Sequence, residues 1–143
     1  MTPPKKYTML SCVSGVVWGC FASVIAFDAM PRAIWGGLVI SPALGLLIGM
    51  ATKHWSQLST SLRISATLLS LYVAVAFFGL AVGIFDWLAV DIPNRIACAV
   101  VVQSVLAFLW GVTFTGYIFM LWPLAYLNHW LLARTSPAPQ LAE

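Results

Sequence analysis

Charged side chains are the scarcest group in this 143-residue chain, at 8% of all positions. A soluble domain carries about a quarter charged residues. Hydrophobic residues instead make up 62% of the sequence, and the mean hydropathy is +0.96. This composition excludes an ordinary soluble fold. It predicts an integral membrane protein whose main partner is membrane lipid.

Groups that perform catalysis or bind metals are also few. The three cysteines, Cys12, Cys20 and Cys98, form no CxxC motif, so the sequence supports neither a thiol redox motif nor a zinc site. It contains no HExxH motif and no phosphate-binding loop. No acid or base lies at membrane depth, where such groups mark ion-coupled transport. We therefore predict no catalytic residue, no metal site and no cofactor, and a protein that is not an enzyme.

The chain does contain four long stretches without Asp, Glu, Lys, Arg or His, at 7–27, 33–52, 64–85 and 96–128. A helix needs about 20 apolar residues to cross a bilayer, and each stretch reaches that length. We predict an all-α integral membrane protein with one transmembrane domain over residues 1–134. Its four transmembrane helices are expected at about 7–27, 33–52, 64–85 and 96–122. Residues 135–143 have the composition of a disordered tail.

The first stretch also has features of a signal peptide, because Lys5 and Lys6 precede an apolar run. That run continues for about 21 residues, whereas the apolar region of a signal peptide spans about 7–15. We therefore predict a retained first helix. Cleavage near Ala29 is the alternative.

The fourth stretch is too long for one perpendicular helix and too short for two helices with a turn. Pro123 lacks a backbone donor and clashes with the preceding turn, so we expect the helix to kink or stop there. Residues 123–133 would then form an interfacial segment with Asn128 and His129 facing water. The alternative is one long, tilted helix.

Basic residues predict the orientation, because short cytoplasmic loops collect Lys and Arg. An inside N-terminus places five basic residues inside and two outside: Lys5, Lys6, Lys53, Arg63 and Arg134 against Arg32 and Arg95. Both termini are then cytoplasmic, and the helices form two hairpins. The bacterial inner (plasma) membrane is the simplest location. Since these residues form no stripe, we predict no nucleic-acid partner.

Small residues recur at a spacing of four on every predicted span. They form the motifs Gly15/Gly19, Gly45/Gly49, Gly79/Gly83 and the ladder Ala107/Gly111/Thr115. Lipid tails are as apolar as Leu, so helices associate in a membrane through close backbone packing, which small residues permit. We predict that these are packing faces. The neighbour is either a helix of the same chain or another subunit.

Polar residues inside the spans suggest two further features. Gln103, Ser41 and Cys20 lie at a similar depth from the outer face, which predicts either a small polar ligand pocket or a structural hydrogen bond between Gln103 and Ser41. Pro42 should bend the second helix and free a carbonyl group, which a Ser or Thr hydroxyl can satisfy.

The two histidines, His54 and His129, both fall at the predicted inner boundary. Two histidines from different helices can ligate a haem iron axially. The alternative, which we favour, is that both are solvated interfacial side chains.

Three functional hypotheses follow. The first is a non-enzymatic accessory or structural subunit in a homo-oligomer or larger membrane complex, because the chain combines packing faces with few reactive groups. The second is a transporter or channel for an uncharged or weakly polar solute, lined by Gln103, Ser41 and Cys20. The third is a membrane redox or lipid-modifying enzyme that uses His54 and His129.

Overall fold

A computed structural model describes residues 3–26, 34–89 and 94–135. They form five α-helices and one short 3-10 helix, and the described residues include no strand. The helices are α1 (Pro3–Ala26), α2 (Ile34–Ala51), the 3-10 helix Trp55–Gln57, α3 (Thr60–Ala89), α4 (Asn94–Phe114) and α5 (Tyr117–Thr135). Four segments are long and apolar enough to span a membrane: Lys5–Val24, Trp35–Gln57, Thr60–Ala89 and Ile96–Phe114. The prediction of an all-helical protein is confirmed for the described residues, as is the prediction of four helices that are long and apolar enough to span a membrane.

The most extensive packing joins α1 to α2 and α3 to α4, and α2 also packs on α3. The connections at 27–33 and 90–93 lie outside the described residues, as does the predicted tail 135–143 except for Thr135, which is the last residue of α5 and not part of a disordered segment. The possible cleavage point near Ala29 also falls there. Helices that are neighbours in sequence thus pack together in two pairs, and α5 contacts helices of both pairs.

α1 and α2 approach each other at a pair of glycines. A Cβ atom added to Gly45 would lie 2.5 Å from the Cα of Gly15, and it would also overlap the carbonyl oxygen of Ser11. One turn further along α2, the Tyr7 hydroxyl donates a hydrogen bond to the carbonyl oxygen of Gly49 at 2.6 Å. A Cβ atom added to Gly19 would overlap the side chain of a serine on α2. Gly15 and Gly19 of α1 therefore face α2, and Gly45 and Gly49 of α2 face α1.

α3 and α4 also meet through glycines. A Cβ atom added to Gly79 would lie 3.0 Å from the Cα of Val105, and one added to Gly83 would lie 2.9 Å from the Cα of Val101. Gly111 differs, because nothing lies within 4 Å of the position that its Cβ would take. The small-residue face around Gly111 therefore has no neighbour within the described chain.

Two glycines that the sequence analysis did not single out join α2 to α3. A Cβ atom added to Gly36 would lie 2.7 Å from the carbonyl oxygen of Ala81, and one added to Gly37 would overlap the Phe78 ring. They are adjacent in sequence and form no GxxxG motif with each other, so the spacing rule did not identify them.

The fourth predicted helix, 96–122, is wrong in its end point. α4 stops at Phe114, and Gly116 adopts φ +77 before α5 begins at Tyr117. Glycine adopts this left-handed conformation without the Cβ penalty of other residues. Pro123 lies inside α5 and neither ends nor begins a helix, because the loss of one backbone hydrogen bond is tolerated there. The chain therefore breaks at Gly116 and not at Pro123.

α5 lies across the bundle. Leu121 belongs to a buried cluster with Leu71 of α3 and Val112 of α4. Eight residues later, about 12 Å along α5, the His129 ring contacts the Ser70 hydroxyl of α3. Both positions of α5 therefore lie near the Ser70–Leu71 region of α3. α5 is also not one of the four candidate spans. Its location at a membrane interface stays a prediction.

The glycine contacts predict the effect of one methyl group. We expect Gly45→Ala to lower the free energy of unfolding of the detergent-solubilised monomer by about 1–3 kcal/mol, because the added Cβ meets the backbone of α1. Gly111→Ala is the matched control. It should be neutral or stabilise by up to about 1 kcal/mol, since Ala is favoured over Gly inside helices. Thermal unfolding of both variants tests this, and equal stabilities would contradict it.

Candidate functional site

α5 directs one stripe of side chains into the bundle. Its buried residues are Leu121, Ala125, His129 and Leu132, which recur at spacings of four and three and so share one face of the helix. His129 is only 5% exposed. The expectation that His129 faces water is therefore wrong, because this face of α5 packs against the other helices. The adjacent Asn128 is half-buried.

His129 connects α5 to α3 and to the turn after α2 through its two ring nitrogens. Nε2 lies 2.8 Å from Oγ of Ser70 on α3, and Nδ1 lies 3.4 Å from Oγ1 of Thr52, just after α2. Ser70 Oγ donates its own proton to the Thr67 carbonyl oxygen, so it accepts from the imidazole. Since a neutral imidazole carries one N–H group, the shorter contact assigns that proton to Nε2.

Burial determines the charge of this histidine. Removing an imidazolium ion from water is unfavourable, and desolvation lowers the pKa of His129 from 6.5 to about 4. The side chain lies in α5, outside the four candidate spans. His129 is therefore neutral at pH 7 and acts as a hydrogen-bonding group.

Trp55 forms the other half of this cluster. It is 2% exposed, and its Nε1 donates to Thr67 Oγ1 at 3.1 Å. The indole stacks on the His129 ring with 6.0 Å between centroids and meets Tyr126 edge-on at 4.8 Å. The Arg63 guanidinium group lies 5.4 Å from the centroid of Trp55. We call the residues Thr52, Trp55, Thr67, Ser70 and His129 the polar cluster. It ties the turn after α2 to α3 and α5.

A partly open cavity of about 140 Å³ lies next to the polar cluster, and residues of all five helices line it. Its walls are mainly apolar and include the rings of Trp18, Phe21, Phe78 and Phe108. Polar groups occur at one end, where Ser14 Oγ donates a hydrogen bond to Asn128 Oδ1 at 2.9 Å. Ser70 and His129 also line the cavity. The cavity therefore combines an apolar body with a polar end.

Of the predicted polar pocket, only Ser41 lines this cavity. Ser41 is buried, and its Oγ donates to the Leu38 carbonyl oxygen at 2.8 Å. Leu38 precedes Pro42 by four residues, so Ser41 satisfies the carbonyl group that Pro42 leaves without its usual donor. This confirms the expected role of a hydroxyl beside Pro42.

Gln103 and Cys20 do not share the Ser41 environment. Both side chains are exposed, and neither lines the cavity. The proposed hydrogen bond between Gln103 and Ser41 is not formed, because Ser41 donates to the backbone of its own helix. The structure therefore does not bring the three predicted pocket residues together.

The two histidines are in different surroundings. His54 is exposed in the turn after α2, as the interfacial alternative expects, whereas both ring nitrogens of His129 already contact hydroxyl groups. Within the described ranges, no group of three or more His, Cys, Asp or Glu side chains could hold a metal ion. The structure thus offers no pair of free imidazoles for haem.

Most residues of the polar cluster were missed by the sequence analysis. Hydroxyl residues are common in apolar helices, so Thr67 and Ser70 gave no distinct signal. The spacing of Leu121, Ala125 and His129 on α5 was a usable signal, because it places the imidazole on an apolar stripe.

Comparison of the chain with protein-family models, curated proteins and solved structures finds no match. The assignment of function therefore depends on the site and the surfaces described above.

The buried imidazole predicts a pH dependence of stability. Between pH 6.5 and pH 4 the unfolded chain takes up a proton at His129 that the folded protein does not. We expect the free energy of unfolding to fall by up to about 3 kcal/mol as the pH drops through this window. Below about pH 4 this group adds no further change. Thermal unfolding in detergent between pH 4 and pH 7.5 measures it.

A pair of variants isolates the effect of His129. His129→Gln should remove most of the pH dependence, because glutamine does not titrate in this range. The exposed His54 offers a matched control, and His54→Gln should keep the wild-type profile. A His129→Gln profile as steep as that of the wild type would refute the assignment.

Proposed function

We propose that this chain is a non-enzymatic multi-pass membrane protein that works as a subunit and associates through α4 with a second copy or with a larger membrane complex. The observation that carries this proposal is the exposed amide of Gln103 on α4. α4 is also the least buried of the four candidate spans.

Gln103 lies at membrane depth. It is seven residues into the span Ile96–Phe114, about 10 Å along the helix axis. Its side chain makes no hydrogen bond to any described residue. An amide without a partner in hydrocarbon costs about 4 kcal/mol or more. A polar group on a second helix removes that cost, so the amide favours association.

Small residues surround Gln103 on the same face of α4. Ala99, Gln103, Ala107 and Gly111 recur at every fourth position, and all are exposed or half-exposed. The position of a Cβ on Gly111 is open. The glycine faces of α1, α2 and α3 already pack inside the chain, whereas this face remains available. A small-residue face with one amide suits a close helix–helix contact in lipid.

The other two functions receive less support. The transport hypothesis relied on Gln103, Ser41 and Cys20 along one path, and these residues occupy separate places. The redox hypothesis relied on His54 and His129, and both ring nitrogens of His129 contact hydroxyl groups of the same chain. No observation favours transport or redox chemistry over a role as a subunit.

The proposed orientation has both termini in the cytoplasm, in the inner (plasma) membrane of a bacterium. Four spans return the chain to the side on which it began, and this orientation places five of the seven basic residues inside.

The subunit proposal predicts the effect of two variants on association. Gln103→Leu should weaken self-association in lipid bilayers by about 3- to 30-fold, which corresponds to about 0.6–2 kcal/mol for an interhelical hydrogen bond. Gly111→Leu should weaken it further by preventing close approach. Single-molecule energy transfer between labelled copies in vesicles measures the constant.

Controls separate this effect from general changes at the lipid surface. Leu69→Ala alters an exposed residue on α3 and should leave the association constant unchanged. If the wild type does not self-associate, mild purification from the native membrane should yield a stoichiometric partner that Gln103→Leu loses. A wild-type chain that is monomeric and that purifies without a partner would contradict the proposal.

The orientation predicts the behaviour of reporter fusions. A C-terminal alkaline phosphatase fusion should be inactive in bacterial cells, because this enzyme needs an oxidising compartment. A C-terminal fluorescent protein should be bright. The opposite pattern would place the C-terminus outside.

A further inference from the structure

The cavity inside the bundle has a defined size and polarity. Its volume of about 140 Å³ is close to that of engineered protein cavities of about 150 Å³, which bind benzene. No Asp, Glu, Lys or Arg side chain lines it. His129, which does line it, is neutral at pH 7. The cavity therefore suits an uncharged molecule of about one ring.

The hydrogen bonds at the polar end define what that molecule must carry. The hydroxyl protons of Ser14, Ser41 and Ser70 are donated to Asn128 Oδ1, Leu38 O and Thr67 O respectively. The Nε2 proton of His129 goes to Ser70. The Asn128 amide nitrogen, with two N–H groups, makes no hydrogen bond to any described residue. Asn128 thus supplies N–H groups at this end that no described residue accepts.

The helix arrangement also gives a route from the membrane. α1 and α4 make little backbone contact with each other among the described residues. Side chains occupy this side instead, because Trp18 and Phe21 of α1 pack against the cluster that contains Val112 of α4. Side chains change rotamer more easily than helix backbones separate. A molecule dissolved in lipid can therefore reach the cavity between α1 and α4.

From these observations we infer that the central cavity binds a small, uncharged cyclic molecule with one hydrogen-bond-accepting oxygen, which the Asn128 amide nitrogen contacts. The ring lies among Phe78, Phe108 and their apolar neighbours, where aromatic edges and faces offer favourable contacts. The inference is independent of association through α4, because neither Gln103 nor Ala99 lines the cavity.

The chain offers a simple spectroscopic test. Its only asparagines are Asn94 and Asn128, so selective ¹⁵N-asparagine labelling of the full chain in detergent gives two side-chain amide signals. The probe is cyclohexanone, and methylenecyclohexane is its control without the carbonyl oxygen. Asn94, at the start of α4, reports any general effect of the solvent or micelle. Asn128→Gln assigns the signals.

We expect cyclohexanone to shift the Asn128 amide signal saturably and to leave the Asn94 signal unchanged. Methylenecyclohexane should bind about 3- to 10-fold more weakly, because it cannot accept the hydrogen bond. Equal and non-saturating shifts of both asparagines would overturn the inference. Equal affinity for the two probes would overturn the role of Asn128.

Two cavity-filling variants test whether cyclohexanone binds in the cavity. Ala74→Leu adds volume at a lining position, and Val75→Phe does so one residue further on. Each variant that keeps the wild-type elution volume should lose the cyclohexanone shift. Leu131→Phe, on the exposed side of α5, should keep it. Retention of binding by a folded cavity-filling variant would overturn the inference. If neither variant folds, the comparison of the two probes on the wild type decides.

Discussion

Close approach of helix backbones is the constraint on which the rest of this structure depends. In lipid there is no gain from burying apolar area, so the helices must come near enough for dispersion between backbones to hold them. The backbones come this close where Gly15 packs against Gly45 and where Gly79 packs against the Cα of Val105. These contacts fix the two helix pairs, and α2 joins them through Gly36 and Gly37. The cavity is the space that remains where larger side chains separate the pairs.

The polar cluster is the second element that holds the bundle together, and it works by a different interaction. His129 donates a hydrogen bond from Nε2 to Ser70 of α3, its Nδ1 contacts the Thr52 hydroxyl in the turn after α2, and Trp55 stacks on the same ring. These directional contacts specify where α5 crosses the bundle, whereas apolar packing alone permits sliding. The neutral imidazole of His129 thus fixes the position of α5 and also lines the cavity.

The sequence was sufficient for the helical class and the four spans, because an uncharged run of about 20 residues matches the thickness of a bilayer and is rare in soluble domains. It also predicted that a hydroxyl would satisfy the carbonyl group freed by Pro42. It was not sufficient for the end of α4, since Pro123 is a stronger signal than Gly116 but a proline can lie inside a helix. The polar cluster escaped prediction because its hydroxyl residues come from α3 and from the turn after α2, and only the fold brings Thr52 and Ser70 to His129.

The chain break at Gly116 has a consequence for biosynthesis. α1 contacts α2, and α3 contacts α4, so each pair can form as soon as its second helix has left the ribosome. The polar cluster joins Thr52 to His129 and cannot form until α5 has been synthesised. α5 is therefore the last of the described helices to dock, and the left-handed glycine lets it turn back over helices that are already inserted. The cavity acquires its polar end only at that final step.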